Sequence, residues 1–182
     1  MLKEEGRLAK NLVTGTVMSN IGFHKYLKDM GCETRATDVG DRYVLEDMLK
    51  TGGIIGGEQS GHIIFLDKTT TGDGILSSIQ LVRAVLKSGK NASELSDEIK
   101  IYPQVLVNAK VTNENKKRYT EDEEVVKAFD EVSAKLGDTG RLLVRPSGTE
   151  PLVRVMIEGE DTESITEMAE ELADMLSKKF GC

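Results

Sequence analysis

The sequence predicts an α/β three-layer domain with a mixed sheet, followed by a smaller α+β domain of β-α-β-β-α order. Three observations carry that expectation. Over residues 1–100, short strand-like runs alternate with helical periods, the pattern of helices packed on a sheet that is at least partly parallel. Beyond the proline at position 103 the pattern changes, with two helical stripes separated by a pair of adjacent strands. The 182 residues suit one large domain or two small ones, each able to bury a core. The expected division is 1–100 and 105–182, with 100–104 as the linker between them.

Residues 2–10 are charged and helical in pattern, and a strand over 13–18 follows at once. The sequence therefore reads as a chain entered partway through a longer polypeptide. A short helix over 22–30 ends at Gly31, which takes the left-handed cap conformation, and 32–39 read as a second strand. Asp41 is placed to cap a helix that Gly52 and Gly53 end. Two apolar pieces, 54–57 and 63–67, flank a polar connection. The helix over 74–87 puts Ile75, Ile79, Val82 and Leu86 on one stripe and stops at Gly89. A shorter helix, capped by Asn91 or Ser93, precedes the linker.

In the second domain Val105, Val107, Ala109 and Val111 alternate with polar neighbours as a half-buried strand does. Thr120 and Glu123 have capping-box spacing before a helix with Val125 or Val126, Phe129, Val132 and Leu136 on its stripe. Strands over 142–144 and 153–157 make a hairpin. The last helix begins near Asp161 and places Ile165, Met168, Ala169, Leu172, Met175 and Leu176 on one face. Burying such stripes contributes roughly 1.5 to 3 kcal/mol per large side chain, so folding alone accounts for them.

Composition narrows the function. The net charge is −7, with 13 basic against 14 acidic residues up to position 100 and 11 against 17 after it. With no Trp, four Phe and four Tyr, stacking platforms are scarce, and a nucleic-acid partner is not expected. No apolar run has membrane-spanning length and no signal-peptide pattern follows Met1, so a cytoplasmic location without a membrane partner is expected. Cys32 and Cys182 read as free thiols of a reducing compartment. The glycines at 52, 53, 56 and 57 complete neither GxGxxG nor a GK[ST] loop, which argues against a nucleotide-binding module.

Two stretches carry chemistry. The hairpin tip, Arg145-Pro146-Ser147-Gly148-Thr149-Glu150-Pro151, suits an anion. Gly148 allows a tight turn and a close approach, Ser147 and Thr149 supply hydroxyls, and turn N–H groups converge as a nest. Arg145 adds a planar charged fork that matches phosphate oxygens. A symmetric hairpin register puts Arg154 on the same face. The alternative is a hydrophilic turn with a solvated arginine, and the residues alone weigh the two readings equally. The second stretch, Gly57-Glu58-Gln59-Ser60-Gly61-His62, sets a carboxylate and a hydroxyl between glycines. These groups suit adjacent sugar hydroxyls, and His62 adds a donor or a proton shuttle. Taken alone, this stretch is no more specific than a polar hairpin loop.

Together the two stretches resemble the α-D-phosphohexomutase superfamily, and their wording is nearest to its bacterial glucosamine-phosphate branch. The resemblance spans essentially all 182 residues and matches the third and fourth of that family's four domains. It implies a fourth domain related to the TATA-binding-protein fold. It also implies interconversion of glucosamine 6-phosphate and glucosamine 1-phosphate through a phosphoserine and a bisphosphate. Carried over by position, Glu58 and Ser60 contact the sugar, joined by His62 as a possible acid or base and by Gly40 and Asp41 of Val39-Gly40-Asp41-Arg42-Tyr43, a stretch that resembles the family's third-domain substrate loop. Arg145, Ser147, Gly148 and Thr149 hold the phosphate, with Arg154 as a further candidate. The family's reaction needs a serine in an Ala-Ser-His-Asn-type loop and magnesium on an Asp-Gly-Asp-type run. Gly72-Asp73-Gly74 has one carboxylate, and neither motif occurs in the chain. The resemblance thus implies an inactive substrate-binding part with no metal site of its own, partnered by the missing N-terminal domains and a hexosamine phosphate. A phosphoglucomutase or phosphomannomutase fragment, or a non-catalytic phosphosugar-binding module, is the alternative.

Overall fold

Strand β1 (Leu12–Thr16) lies inside a four-stranded sheet of order β2-β1-β3-β4, with β2 at Glu33–Thr37, β3 at Ile55–Gly57 and β4 at Ile63–Phe65. It runs parallel to β2 and β3, while β4 returns antiparallel to β3, so the sheet is mixed. The computed structural model describes residues 1–181, and Cys182, one of the two expected thiols, lies outside them. The chain forms two compact units, Met1–Ile101 and Tyr102–Cys182.

Parallel neighbours need crossovers, and helices α1 (Ile21–Asp29) and α2 (Asp41–Thr51) provide them. Strand alternation places these helices on opposite faces of the sheet. Thr14 pairs in register with Arg35, and both side chains bond Asp47 of α2. On that face Val44 and Met48 meet Ile64 in a fully buried cluster. Thr34 points the other way and lies 3.1 Å from the His24 ring of α1. Helices α3 (Gly74–Ser88) and α4 (Ala92–Ser96) complete the unit. Asp73 caps α3 by accepting the Leu76 N–H, and Asn91 and Glu94 form a reciprocal capping box on α4.

Three expectations fail in this unit. Residues 2–10 form turns that lead into a 3-10 turn at Ala9–Asn11, not a helix. The cap of α2 is Gly40, with no side-chain cap bond, and Asp41 is the first helical residue, where a carboxylate still meets the helix dipole favourably. The α3 stripe is open: Ile75, Ile79, Val82 and Leu86 are 56% to 78% exposed, and no residue of α3 is buried.

The second unit is an antiparallel sheet of order β5-β7-β6, formed by β5 (Gln104–Lys110), β6 (Arg141–Pro146) and β7 (Leu152–Glu158). Helices α5 (Glu123–Leu136) and α6 (Thr162–Phe180) give the expected β-α-β-β-α order. Val153, Val155 and Ile157 of β7 meet Val132 and Leu136 of α5 and Ile165, Leu172 and Leu176 of α6 in one continuous core. Glu158 is fully buried and takes a 2.7 Å bond from Arg141. Thr120 belongs to a 3-10 turn rather than a cap. Asp122, two residues later, caps α5 by accepting the Val125 N–H. No helix of the described residues is long and apolar enough to cross a membrane.

Candidate phosphosugar-binding loops

The connection from β3 to β4 is a tight turn closed by its own backbone. The Glu58 N–H donates to the His62 carbonyl at 2.9 Å, and the Gly61 N–H donates to the Glu58 carbonyl at 3.0 Å. With the backbone satisfied internally, the side chains are left to act outward. Glu58 Oε1 accepts the Gly40 N–H at 2.8 Å, which ties this turn to the start of α2. His62 Nε2 lies 3.3 Å from Asp41 Oδ2. The structure therefore gathers Gly40, Asp41, Glu58 and His62 into one cluster, although they come from two connections of the chain.

Ser60 is exposed at the tip of the turn. It shares a polar pocket of about 300 Å³ with His62, Gly72, Asp73 and Ser77. Gly72 forms its wall: a Cβ at that position would fall 2.2 Å from His62 Nε2, so the imidazole ring would have to turn away. Sequence reasoning took Gly72-Asp73-Gly74 only as an incomplete metal motif and missed this wall. The Asp73 carboxylate is occupied by its capping bond at 2.9 Å. On its other side, Glu58 borders a second cleft of about 300 Å³, lined by apolar Val13, Phe23, Ile55 and Ile63.

In the second unit Arg145 and Arg154 are direct partners across β6 and β7. Opposed residues in an antiparallel pair share a face, so two guanidinium groups stand together at the end of the hairpin. Arg145 belongs to β6 rather than to the turn, which spans 147–151. Arg154 is bonded to Glu150 at 3.1 Å. Among the described residues Arg145 pairs with no carboxylate, and its charge is available.

Ser147 is buried, and its Oγ accepts the Glu150 N–H at 3.2 Å, so the hydroxyl closes the turn. Gly148 and Thr149 are exposed at the tip. The Gly148 φ angle lies outside the left-handed region and a Cβ there meets nothing, so the turn itself does not require glycine. What an absent side chain leaves at this tip is room for a ligand to approach the backbone. Lys116 donates to the Ser147 carbonyl at 3.1 Å and brings a third cation to the turn. The only sequence signal for it was the basic run Lys116-Lys117-Arg118. Behind the site the Tyr119 hydroxyl reaches the Val144 carbonyl at 3.4 Å, and burial pushes its pKa up, so it stays a neutral donor.

A mixed α/β unit followed by a small three-stranded unit, each carrying one polar turn, is the arrangement of a known protein class. Residues 1–102 match the alpha/beta/alpha domain III of phosphoglucomutase/phosphomannomutase, and residues 106–175 match the C-terminal domain of the same family. The chain belongs to the phosphoglucomutase/phosphomannomutase family. It is similar to the phosphoglucosamine mutase of Caldicellulosiruptor bescii, with 55% identity over 98% of this chain and 40% of that protein. The phosphoglucosamine mutase of Alkaliphilus metalliredigens is 53% identical over 99% of this chain and likewise 40% of its own length. The chain thus spans about two fifths of these relatives. Among solved structures, an Aspergillus fumigatus N-acetylphosphoglucosamine mutase in complex with glucose 1,6-bisphosphate superposes with a TM-score of 0.78 at 20% identity, covering 100% of this chain and 41% of that one. The same enzyme in complex with GlcNAc-6P and magnesium gives a TM-score of 0.73 over 97% of this chain and 41% of that one. At that identity the likeness is one of fold.

Proposed function

We propose that this chain is the substrate-binding part of a phosphohexomutase that interconverts glucosamine 6-phosphate and glucosamine 1-phosphate. Residues 1–100 take the sugar ring, through Glu58, Ser60 and the Gly40–Asp41 connection. Residues 105–182 take the phosphate, through Arg145, Gly148, Thr149 and Arg154, with Ser147 closing the turn. The observation that carries this reading is the facing pair Arg145 and Arg154 beside an exposed Gly148-Thr149 tip, with Lys116 bonded to the same turn. Two planar forks and a lysine suit a dianion. The amino sugar is preferred over glucose or mannose because the 55% identical relative is a phosphoglucosamine mutase.

In the full reaction a phosphoserine outside this chain passes its phosphoryl group to a sugar hydroxyl. The serine O–P bond breaks as the sugar O–P bond forms. The bisphosphate then turns over and returns its other phosphoryl group to the serine. Such transfer depends mainly on positioning and charge stabilisation. This chain holds the ring by its hydroxyls and grips whichever phosphate is idle. A site that recognises a phosphate through arginines and turn donors does not read which carbon bears it, and so permits both orientations. His62, which lies 3.3 Å from Asp41, is the candidate in this reading to hold or move a proton at a sugar hydroxyl. Among the described residues no three His, Cys, Asp or Glu side chains converge on a metal position. Magnesium belongs, in this reading, to domains that precede this chain in a cytoplasmic enzyme.

Calorimetric titration of glucosamine 6-phosphate, glucose 6-phosphate and mannose 6-phosphate into the chain tests the assignment. Arg145→Ala is expected to weaken sugar-phosphate binding by about 10- to 100-fold, the worth of a charged hydrogen-bonded contact, with the melting temperature unchanged. Glu58→Gln is expected to weaken the sugar phosphates while leaving inorganic phosphate unaffected. Equal losses for both ligands would remove the ring-reading role. Mutase turnover by the chain alone would overturn the substrate-binding assignment.

A further inference from the structure

Two features of the first unit are unexplained by the chain itself. Helix α3 is 15 residues long, and its Ile75, Ile79, Val82 and Leu86, one continuous stripe, are open to solvent. Isolated exposed apolar side chains are ordinary, but an unbroken stripe of four over three turns marks a contact surface. The sheet face that carries Val13 and Ile55 is short of cover as well, leaving the apolar cleft over β1 and β3.

The second feature is the geometry of residues 1–7. The Glu5 N–H bonds the Met1 carbonyl at 3.0 Å, which is an α-helical bond. The Gly6 N–H bonds the Lys3 carbonyl and the Arg7 N–H bonds the Leu2 carbonyl, both at 2.9 Å. Gly6 has φ +65°, the left-handed conformation that favours glycine. This combination is the Schellman motif, the cap that ends an α-helix. Four residues are too few to form a helix alone. The capped turn is also fastened to α3. Glu5 bonds both Arg83, at 2.9 Å, and Lys87, and these two residues lie on the shoulder of the open stripe.

We infer that the open stripe of α3 is the seat of a further helix, the one that the Schellman turn at Gly6 terminates, supplied by the polypeptide preceding domain III in this family. By its own description domain III is not the first domain of these proteins, and the chain covers 40% of its relatives' length. The occupant is amphipathic, with an apolar face for Ile75, Ile79, Val82 and Leu86. The tether through Glu5 sets where its C-terminal end meets α3. The inference rests on the cap and the stripe, and it holds or fails independently of the phosphosugar reading.

The test is to extend the chain. The stretch of about 20 residues immediately upstream of the matched region in the Caldicellulosiruptor bescii phosphoglucosamine mutase, enough to span α3 as a helix, is fused before Met1. The extension is expected to raise the melting temperature by about 5 °C or more and to abolish binding of an apolar dye. It is also expected to slow amide exchange across residues 74–88 by at least about tenfold. Ile79→Ser combined with Val82→Ser should cancel the thermal gain in the extended protein yet leave the unextended chain unchanged. Leu49→Ser, an exposed apolar side chain on α2, should leave the gain intact. Unaltered exchange in α3 on extension overturns the inference, and that measurement needs no substituted protein to fold. A gain that survives the double substitution overturns it too. So does a dimer of the unextended chain, seen by sedimentation, that is broken by the double substitution but persists on extension, since the stripe would then be a seat for a second copy.

Discussion

Helices α3 and α6 have sequence stripes of the same kind and opposite surroundings. Ile165, Ala169, Leu172 and Leu176 of α6 are at most 3% exposed, because β7 presents Val153, Val155 and Ile157 beneath them. Ile75, Ile79, Val82 and Leu86 of α3 are mostly open, and the strand beside that helix, β4, has three residues. Periodicity in a sequence records what covers a helix in the complete folded polypeptide. It does not say whether the cover comes from the same stretch of chain. In the second unit the sheet, both helices and the core lie within about eighty consecutive residues, whereas the first unit buries a cluster of only Val44, Met48 and Ile64.

The contrast predicts unequal costs for equal truncations. Leu176→Ala leaves a cavity in a close-packed core and is expected to cost about 3 kcal/mol. Ile79→Ala removes atoms that already touch water, and should change stability by less than about 0.5 kcal/mol. Urea unfolding followed by circular dichroism compares them directly. Similar losses for the two variants would mean that α3 is covered in solution, and would erase the distinction.

Helix caps sharpen the same contrast at a smaller scale. Asp161 accepts the Ser164 N–H at 3.0 Å and caps α6, while Asp73 accepts the Leu76 N–H at 2.9 Å and caps α3. The bonds are alike, but α6 unfolds only with its core. Asp161→Ala should therefore lower the stability of the second unit by about 1 kcal/mol. Asp73→Ala should show only as faster amide exchange at the start of α3, because a helix without buried side chains opens locally. Loss of global stability on Asp73→Ala would place α3 inside the cooperative unit.

What was legible in the sequence follows from how local each cause is. The facing of Arg145 and Arg154 was legible because a strand has period two and the hairpin is short. The mixed sheet and the β-α-β-β-α order were legible because turns and stripes punctuate every few residues. Asp122 was obscured by Thr120, since both lie within reach of the same helix start and only the backbone path chooses between them. Asp41 was misread as a cap because Gly40, with no side chain, fills that position. Lys116 reaches the Ser147 carbonyl across 31 residues, and Gly72 packs on His62 from a separate connection. Contacts of that kind leave no spacing to read.

The weakest effect concerns what holds α3's flank in place of a core. Lys87, Arg7 and Arg83 surround the Glu5 carboxyl, and their hydrogen bonds and charges, that of Lys87 first, lower its pKa to about 2. A carboxylate depressed below its ordinary value of about 4.3 stabilises the folded form fully above that pH, and the contribution fades as pH falls toward about 2. Because the partners are largely exposed, the global melting temperature should scarcely move over that range. The carboxyl carbon of Glu5, followed by NMR, should titrate near about 2, and Lys87→Gln should raise the midpoint toward about 4.3. A wild-type midpoint already near the ordinary value would mean that the N-terminal turn is not fastened to α3. The α3 stripe would then lose the anchor that marks where its missing cover arrives.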